Sequence, residues 1–242
     1  MTERPILHVD AKPRRIEIRR HSLATRVTHW VNVVCLAILL GSGLQIFNAH
    51  PALYWGNIST FAHPFLTLPD FPSWMTVPSY RDLGGGRMWH FFFAWVLVLN
   101  ATLYLIATLR SRHLSRDLLP TLAELKNTGH SLIEHARLRF PKGNEARRYN
   151  VIQQLTYLVV IFGLLPLIIL TGWCMSPYLN AIMPWLPAAF GGRQSARTLH
   201  FIAASGLVVF IFVHLAMVFL SGFANNIRSM ITGRYEIEGE TR

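Results

Sequence analysis

Four stretches of this chain, 27–47, 88–109, 149–173 and 197–222, are apolar over about twenty residues or more, the length an α-helix needs to cross a bilayer. Inside lipid every backbone N–H and C=O must find a partner within the protein, so stretches of this kind fold as helices. Of the 242 residues, 52% are hydrophobic and only 14% charged, against roughly 25% charged in soluble domains. The expected fold is an all-α membrane protein, a four-transmembrane-helix bundle over residues 27–222. A polar arm (1–26) precedes it and a polar tail (223–242) follows, with no room for a second domain of ordinary size.

The net charge of +11 could suggest nucleic acid, but the basic residues fall in blocks between the apolar stretches. Nineteen lie in residues 1–26, in 110–148 and in the tail; the other two connections hold four, namely Arg81, Arg87, Arg193 and Arg197. Positive residues stay on the cytoplasmic side, so both termini are expected inside and the two Pro- and Trp-bearing loops outside. Trp30, Trp55, Trp89, Trp173 and Trp185 fall near the expected interfaces, as an aromatic belt requires. Within 110–148, leucines at helical spacing (Leu118, Leu122, Leu125) allow an amphipathic surface helix or a solvated one. Pro166 should kink the third span. The first 26 residues lack the short apolar region and cleavage site of a secretory signal. Cys35 and Cys174 lie in different spans, so no disulfide is expected, and no CxxCH for covalent haem occurs.

The apolar spans contain four histidines, His29, His90, His200 and His214. An ionisable residue inside a span is costly and points to function. His200 and His214 share the fourth span. Fourteen residues turn about 1400°, some 40° short of four full turns, and rise about 21 Å, so both imidazoles lie on one face near opposite edges of the bilayer. Ala203 and Ala204 between them are small enough to let a flat group approach the backbone. With the orientation above, His90 and His200 share the outer level and His29 and His214 the inner half. Two levels with two histidines each match two six-coordinate b haems, one above the other. Two axial imidazoles per iron favour electron transfer over oxygen binding. A zinc site would need its ligands to converge on one point, which the difference in depth forbids. The alternative is a pair of histidines hydrogen-bonded inside a helical bundle. The other seven histidines lie in loops or the arm and read as solvated or locally capped.

Arg26, Arg87 and Arg197 each precede a proposed ligand by three residues and so share its helix face. Haem propionates need cationic or hydrogen-bonding partners near the membrane surface; snorkelling interfacial arginine is the alternative reading. Aromatic side chains at Phe91–Phe93, Phe210 and Phe212 suit either porphyrin contact or ordinary packing.

RRHSLATRVTHWVN (residues 19–32), together with Leu199-His200 and, fourteen residues on, Val213-His214, resembles the bacterial cytochrome b561-like family. That family includes the di-haem cytochrome b subunits of nickel–iron hydrogenases, formate dehydrogenases and thiosulfate reductases. The resemblance covers residues 19–235. It implies a four-helix bundle with two haems b, His90 and His200 on the outer one, His29 and His214 on the inner. RRYNVIQQLTY (residues 147–157) resembles the family's quinone-site segment, with Asn150 and Gln153 at the asparagine and glutamine positions. Ile152 stands where formate dehydrogenase subunits carry glycine. A helix N-cap is the alternative role for Asn150.

The resemblance implies a multi-pass subunit of the bacterial inner membrane. It would carry electrons between the quinone pool and a periplasmic redox partner, a molybdopterin enzyme or a hydrogenase, docked on the long outer loops. A stand-alone superoxide:quinone oxidoreductase of the same family is the rival, favoured by the outer cations Arg87 and Arg197. A transporter is disfavoured by the lack of an inverted repeat or a pair of broken helices.

Overall fold

The computed structural model describes residues 15–110 and 151–238. Asn150, the leucine-bearing segment within 110–148, and His8, His113, His130 and His135 lie outside the described residues. Helices α1 (Leu23–Asn48) and α2 (Leu83–Arg110) form the first two spans. The third is built from α3 (Val151–Val159), a π-helical turn (Val160–Leu164) and α4 (Leu165–Met175). Short helices α5 (Pro177–Ile182) and α6 (Trp185–Ala189) follow, then the fourth span α7 (Arg193–Leu220) and α8 (Phe223–Thr232). Four of these helical stretches are long and apolar enough to cross a membrane. The fold is thus the expected all-α four-helix membrane bundle.

Local chemistry sets where the spans begin. Ser22 caps α1 by accepting the Thr25 N–H at 3.1 Å. Asp82 does the same for α2, its Oδ1 accepting Gly85 N–H at 2.9 Å. Leu40, Leu99, Leu103, Val209, Phe212 and Phe219 stay exposed along the spans, the surface a helix presents to lipid rather than to protein. Several hydroxyl side chains inside the spans bond their own helix. The hydroxyls of Thr28, Ser42, Thr102, Thr171 and Ser205 each donate to the carbonyl four residues back.

The spans pack as two hairpins, α1 along α2 and α4 along α7. Buried Asn100 joins the first pair, its Nδ2 donating to the Thr28 carbonyl at 2.8 Å and to Asn32 Oδ1 at 2.7 Å. Pro166 cannot donate to the carbonyl of Phe162, and the chain meets this by widening the turn just before it into a π-helical one. In the second pair Leu164 packs close over Gly206 of α7.

The face that carries the two connecting loops is heavily stitched. Strands β2 (Ala52–Leu53) and β3 (Leu66–Thr67) pair antiparallel. The Gly56 carbonyl accepts the N–H of Gln194 at 2.9 Å and of Ser195 at 3.2 Å, at the start of α7. Thr198 Oγ1 donates to the carbonyl of fully buried Tyr54 at 2.6 Å. Gln45 Nε2 donates to Tyr80 O, and Asn48 pairs with both backbone groups of Phe71. The opposite face carries both ends of the described chain. There β1 (Arg15–Arg19) pairs antiparallel with β4 (Arg234–Glu238), and Arg228 makes ion pairs with Glu17 and Glu236. The arm and the tail are therefore joined to each other, and most of the tail is helix and strand.

Candidate functional site

The four span histidines form two pairs. His90 of α2 and His200 of α7 have ring centroids 6.2 Å apart with planes at 62°. His29 of α1 and His214 of α7 have centroids 6.3 Å apart at 54°. His90 and His200 are each the eighth residue of a helix of 28 residues, which sets them at matching depth near the loop face. His29 and His214 lie toward the face of the chain ends. Helix α7 contributes to both pairs, as its fourteen-residue histidine spacing requires.

The spacing within each pair tests what the rings can hold. An imidazole centroid lies about 1.1 Å from its coordinating nitrogen and a metal–imidazole bond is about 2.0–2.1 Å long, so two rings on opposite sides of one metal ion have centroids about 6.2–6.4 Å apart. A direct hydrogen bond between the rings would bring them to about 5 Å. Both observed separations fit the first geometry, and the four histidines make no hydrogen bond with one another. Among the described residues there is no group of three or more His, Cys, Asp or Glu that could hold a metal ion. Two opposed ligands per centre suit a metal whose other positions come from a macrocycle.

The surroundings of the two pairs differ. His90 Nδ1 lies 3.1 Å from Ser42 Oγ, and His200 Nδ1 lies 3.1 Å from Thr171 Oγ1. Gly43 and Gly172 follow these hydroxyls, and a Cβ at either would touch the histidine Cε1 at 3.4 Å. At the other level, His29 Nδ1 is buried with no hydrogen-bond partner. Its ring meets Trp30 edge-on at 5.3 Å, and His214 stacks on Phe210 at 5.8 Å. Phe212 is instead exposed.

The three arginines are placed differently from one another. Arg26 donates to the Ile231 carbonyl, and Trp30 Nε1 to the Met230 carbonyl at 3.1 Å, so the start of α1 is clamped to the last turn of α8. Arg26 Nε is buried without a partner. Arg87 is exposed, its guanidinium 5.7 Å from the Phe91 ring centre. Arg197 donates to the carbonyls of Ala52 and His50, and so holds the loop down on α7. Gln153 is half-buried on α3. His50 Nε2 bonds the Tyr54 hydroxyl at 3.0 Å, a local role. Cys35 and Cys174 are free and buried. Ser42 and Thr171 were missed by the sequence reading. Hydroxyl–glycine pairs occur in three spans, at Ser42-Gly43, Thr171-Gly172 and Ser205-Gly206, so this signal alone does not single out the two.

The family model described as prokaryotic cytochrome b561 matches residues 20–233, which takes in all four spans and α8. The chain is also similar to a putative protein-methionine-sulfoxide reductase subunit, YedZ1, of Azospira oryzae (strain ATCC BAA-33 / DSM 13638 / PS). The two are 32% identical over 200 residues, covering 81% of this chain and 87% of that protein.

Proposed function

The chain belongs to the prokaryotic cytochrome b561 family, multi-pass membrane proteins that bind haem b and transfer electrons, and we propose that it is a di-haem subunit linking the quinone pool to an external redox enzyme. The observation that carries this reading is the pair of histidine separations, 6.2 and 6.3 Å, at two depths of one bundle. In this reading His90 and His200 hold the outer haem, and His29 and His214 the inner one. Bound there, the haems supply one-electron chemistry across the bilayer.

The protein's own residues do the rest. His29, His90, His200 and His214 would hold the haems, two imidazoles to each, a ligand set that would suit electron transfer rather than oxygen binding. Arg87, at the outer end of α2, is free to meet a propionate, whereas Arg197 serves the loop and can offer only its remaining N–H groups. Arg26 has one buried N–H to offer at the inner level. Asn150 and Gln153, at the cytoplasmic end of the third span, are the proposed quinone contacts. The excess of basic residues on the face of the chain ends makes that face cytoplasmic, in the inner membrane of a bacterium.

The loop face is then periplasmic. Its loops are stitched to α1 and α7 by the bonds from Gln45, Asn48, Arg197 and Thr198. They expose Trp55, Phe61, Phe65, Trp74, Tyr178 and Trp185, aromatic side chains of the kind enriched at protein interfaces. A rigid aromatic platform favours a docked partner over a self-sufficient superoxide oxidase. The relative named as a reductase subunit supports a reductase as the partner; a molybdopterin enzyme fed by electrons from quinol is the partner that the family resemblance implies.

The test is a reduced-minus-oxidised spectrum with a haem-to-protein ratio. Two haems b per chain are expected, with one lost in His90→Ala and the other in His29→Ala. A ratio of one in the unmodified chain would break the pairing at one level, and a ratio of zero under ample haem supply would sink the redox reading.

A further inference from the structure

The two ligands of the outer pair are held by the same device, built twice. Ser42 stands on α1 beside His90 of α2; Thr171 stands on α4 beside His200 of α7. Each hydroxyl is fully buried. Each donates its one hydrogen to the carbonyl four residues back, Ser42 to Ile38 at 2.7 Å and Thr171 to Leu167 at 2.6 Å. With that hydrogen committed, the oxygen can only accept. The histidine nitrogen at 3.1 Å must then be the donor, so both imidazoles carry the proton on Nδ1 and leave the Nε2 lone pair for a metal. Among the described residues no such hydroxyl faces the inner pair, where His29 Nδ1 is buried without a partner.

We propose that Ser42 and Thr171 are matched positioning residues that fix both outer ligands as Nδ1–H imidazoles and so give the outer haem a lower potential than its ligand set alone would. The inference rests on the di-haem reading above. A hydrogen bond from Nδ1–H makes the opposite nitrogen a stronger donor and fixes the orientation of the ring. Stronger donation favours the ferric state. A hydroxyl already polarised by its own donation is a better acceptor, which strengthens the effect at both rings. The outer haem thereby becomes the readier electron donor toward whatever docks on the loop face, and its two rings hold one mutual angle. The inner ligands lack this constraint.

The experiment uses the full chain, haem-loaded in mild detergent, with Ser42→Ala, Thr171→Val, the double variant and Thr171→Ser. Haem-to-protein ratio, midpoint potentials from a spectroelectrochemical titration, and low-temperature electron paramagnetic resonance of the ferric state are recorded. His90→Ala, which removes the outer haem, identifies the outer signals. Expected are two haems throughout, an upward shift of the outer potential alone in each single variant, a larger one in the double, and parental values in Thr171→Ser. The outer ferric signal broadens or moves as the rings lose their fixed angle. The variants touch different ligands, so one remains readable if the other fails to take up haem. Two haems with an unmoved outer potential, or a shift confined to the inner one, would overturn the proposal alone. Fewer than two haems in the unmodified chain would overturn the di-haem reading and this proposal with it.

Discussion

Gly192 stands at the junction where the outer loop meets α7, with φ at +112°. A Cβ there would lie 2.4 Å from the Gly56 carbonyl oxygen, the same atom that accepts the first N–H groups of α7. Gly222, at φ +108°, has nothing within 4 Å of its would-be Cβ. Gly222→Ala should therefore cost only the backbone strain, about 1–2 kcal/mol. Gly192→Ala adds a collision with backbone and should cost about 3 kcal/mol or more. Thermal unfolding in detergent checks the ranking; equal melting temperatures would refute it. At this scale the sequence was informative where a residue type is out of place. Histidine in an apolar span stands out because burying it is expensive. Ser42 and Thr171 did not stand out, since Ser and Thr in membrane helices routinely bond their own helix, as Thr28, Thr102 and Ser205 do here. What distinguishes the two is the ring that each faces, and that is a tertiary fact.

Among the elements, α1 and α2 are joined by Asn100, which spends both amide hydrogens on α1. Replacing it with alanine should lower stability by about 0.6–1.7 kcal/mol, the range for hydrogen bonds between membrane helices, and leave both haems bound. Chemical unfolding with a haem ratio on the same samples reads both outcomes. A sharper change is one alanine inserted between Gly206 and Leu207 of α7. It would turn His214 by about 100° and move it about 1.5 Å along the axis. His214 would then no longer face His29, while His200 stays opposite His90. Loss of one haem with retention of the outer one is expected; retention of both would mean that α7 absorbs the insertion as a bulge. Span number and the pairing of the histidines by depth were legible because length and periodicity are local properties; the span limits were less so, since the helices begin at Leu23, Leu83 and Arg193, four or five residues before the apolar stretches. The response to Pro166 was only half legible. A proline announces a lost hydrogen bond, but whether the helix bends or widens its preceding turn depends on what packs beside it.

For the molecule as a whole, the two faces are built differently. The loop face is locked by backbone bonds to Gly56, Tyr54 and Phe71, and the other face by the β1–β4 ribbon and the clamp of Arg26 and Trp30 on α8. Gly233 sits at φ +83°, and a Cβ there would lie 3.0 Å from the His21 carbonyl and 3.1 Å from Arg26 Nη1. Gly233→Val should loosen that clamp, beside His29, and leave the outer level undisturbed. On slow heating, the inner haem should be released first in this variant, with the outer haem leaving as in the parent; simultaneous release would show that the clamp does not support the inner site. That both chain ends lie on one face was legible from the even number of spans. The joining of arm to tail was not, because β1 and β4 lie more than two hundred residues apart, and the alternation of RIEIR and RYEIE does not say with what each strand pairs. Helix α7, finally, carries one histidine of each pair. In a two-haem protein this makes one stiff rod the ruler for the tunnelling gap between the irons. Tilting of one hairpin against the other, or a change in bilayer thickness, leaves that rod's length almost unaltered. The hop between the haems then has a nearly constant distance factor, and only driving force, or events at the quinone and partner ends, can modulate the flow.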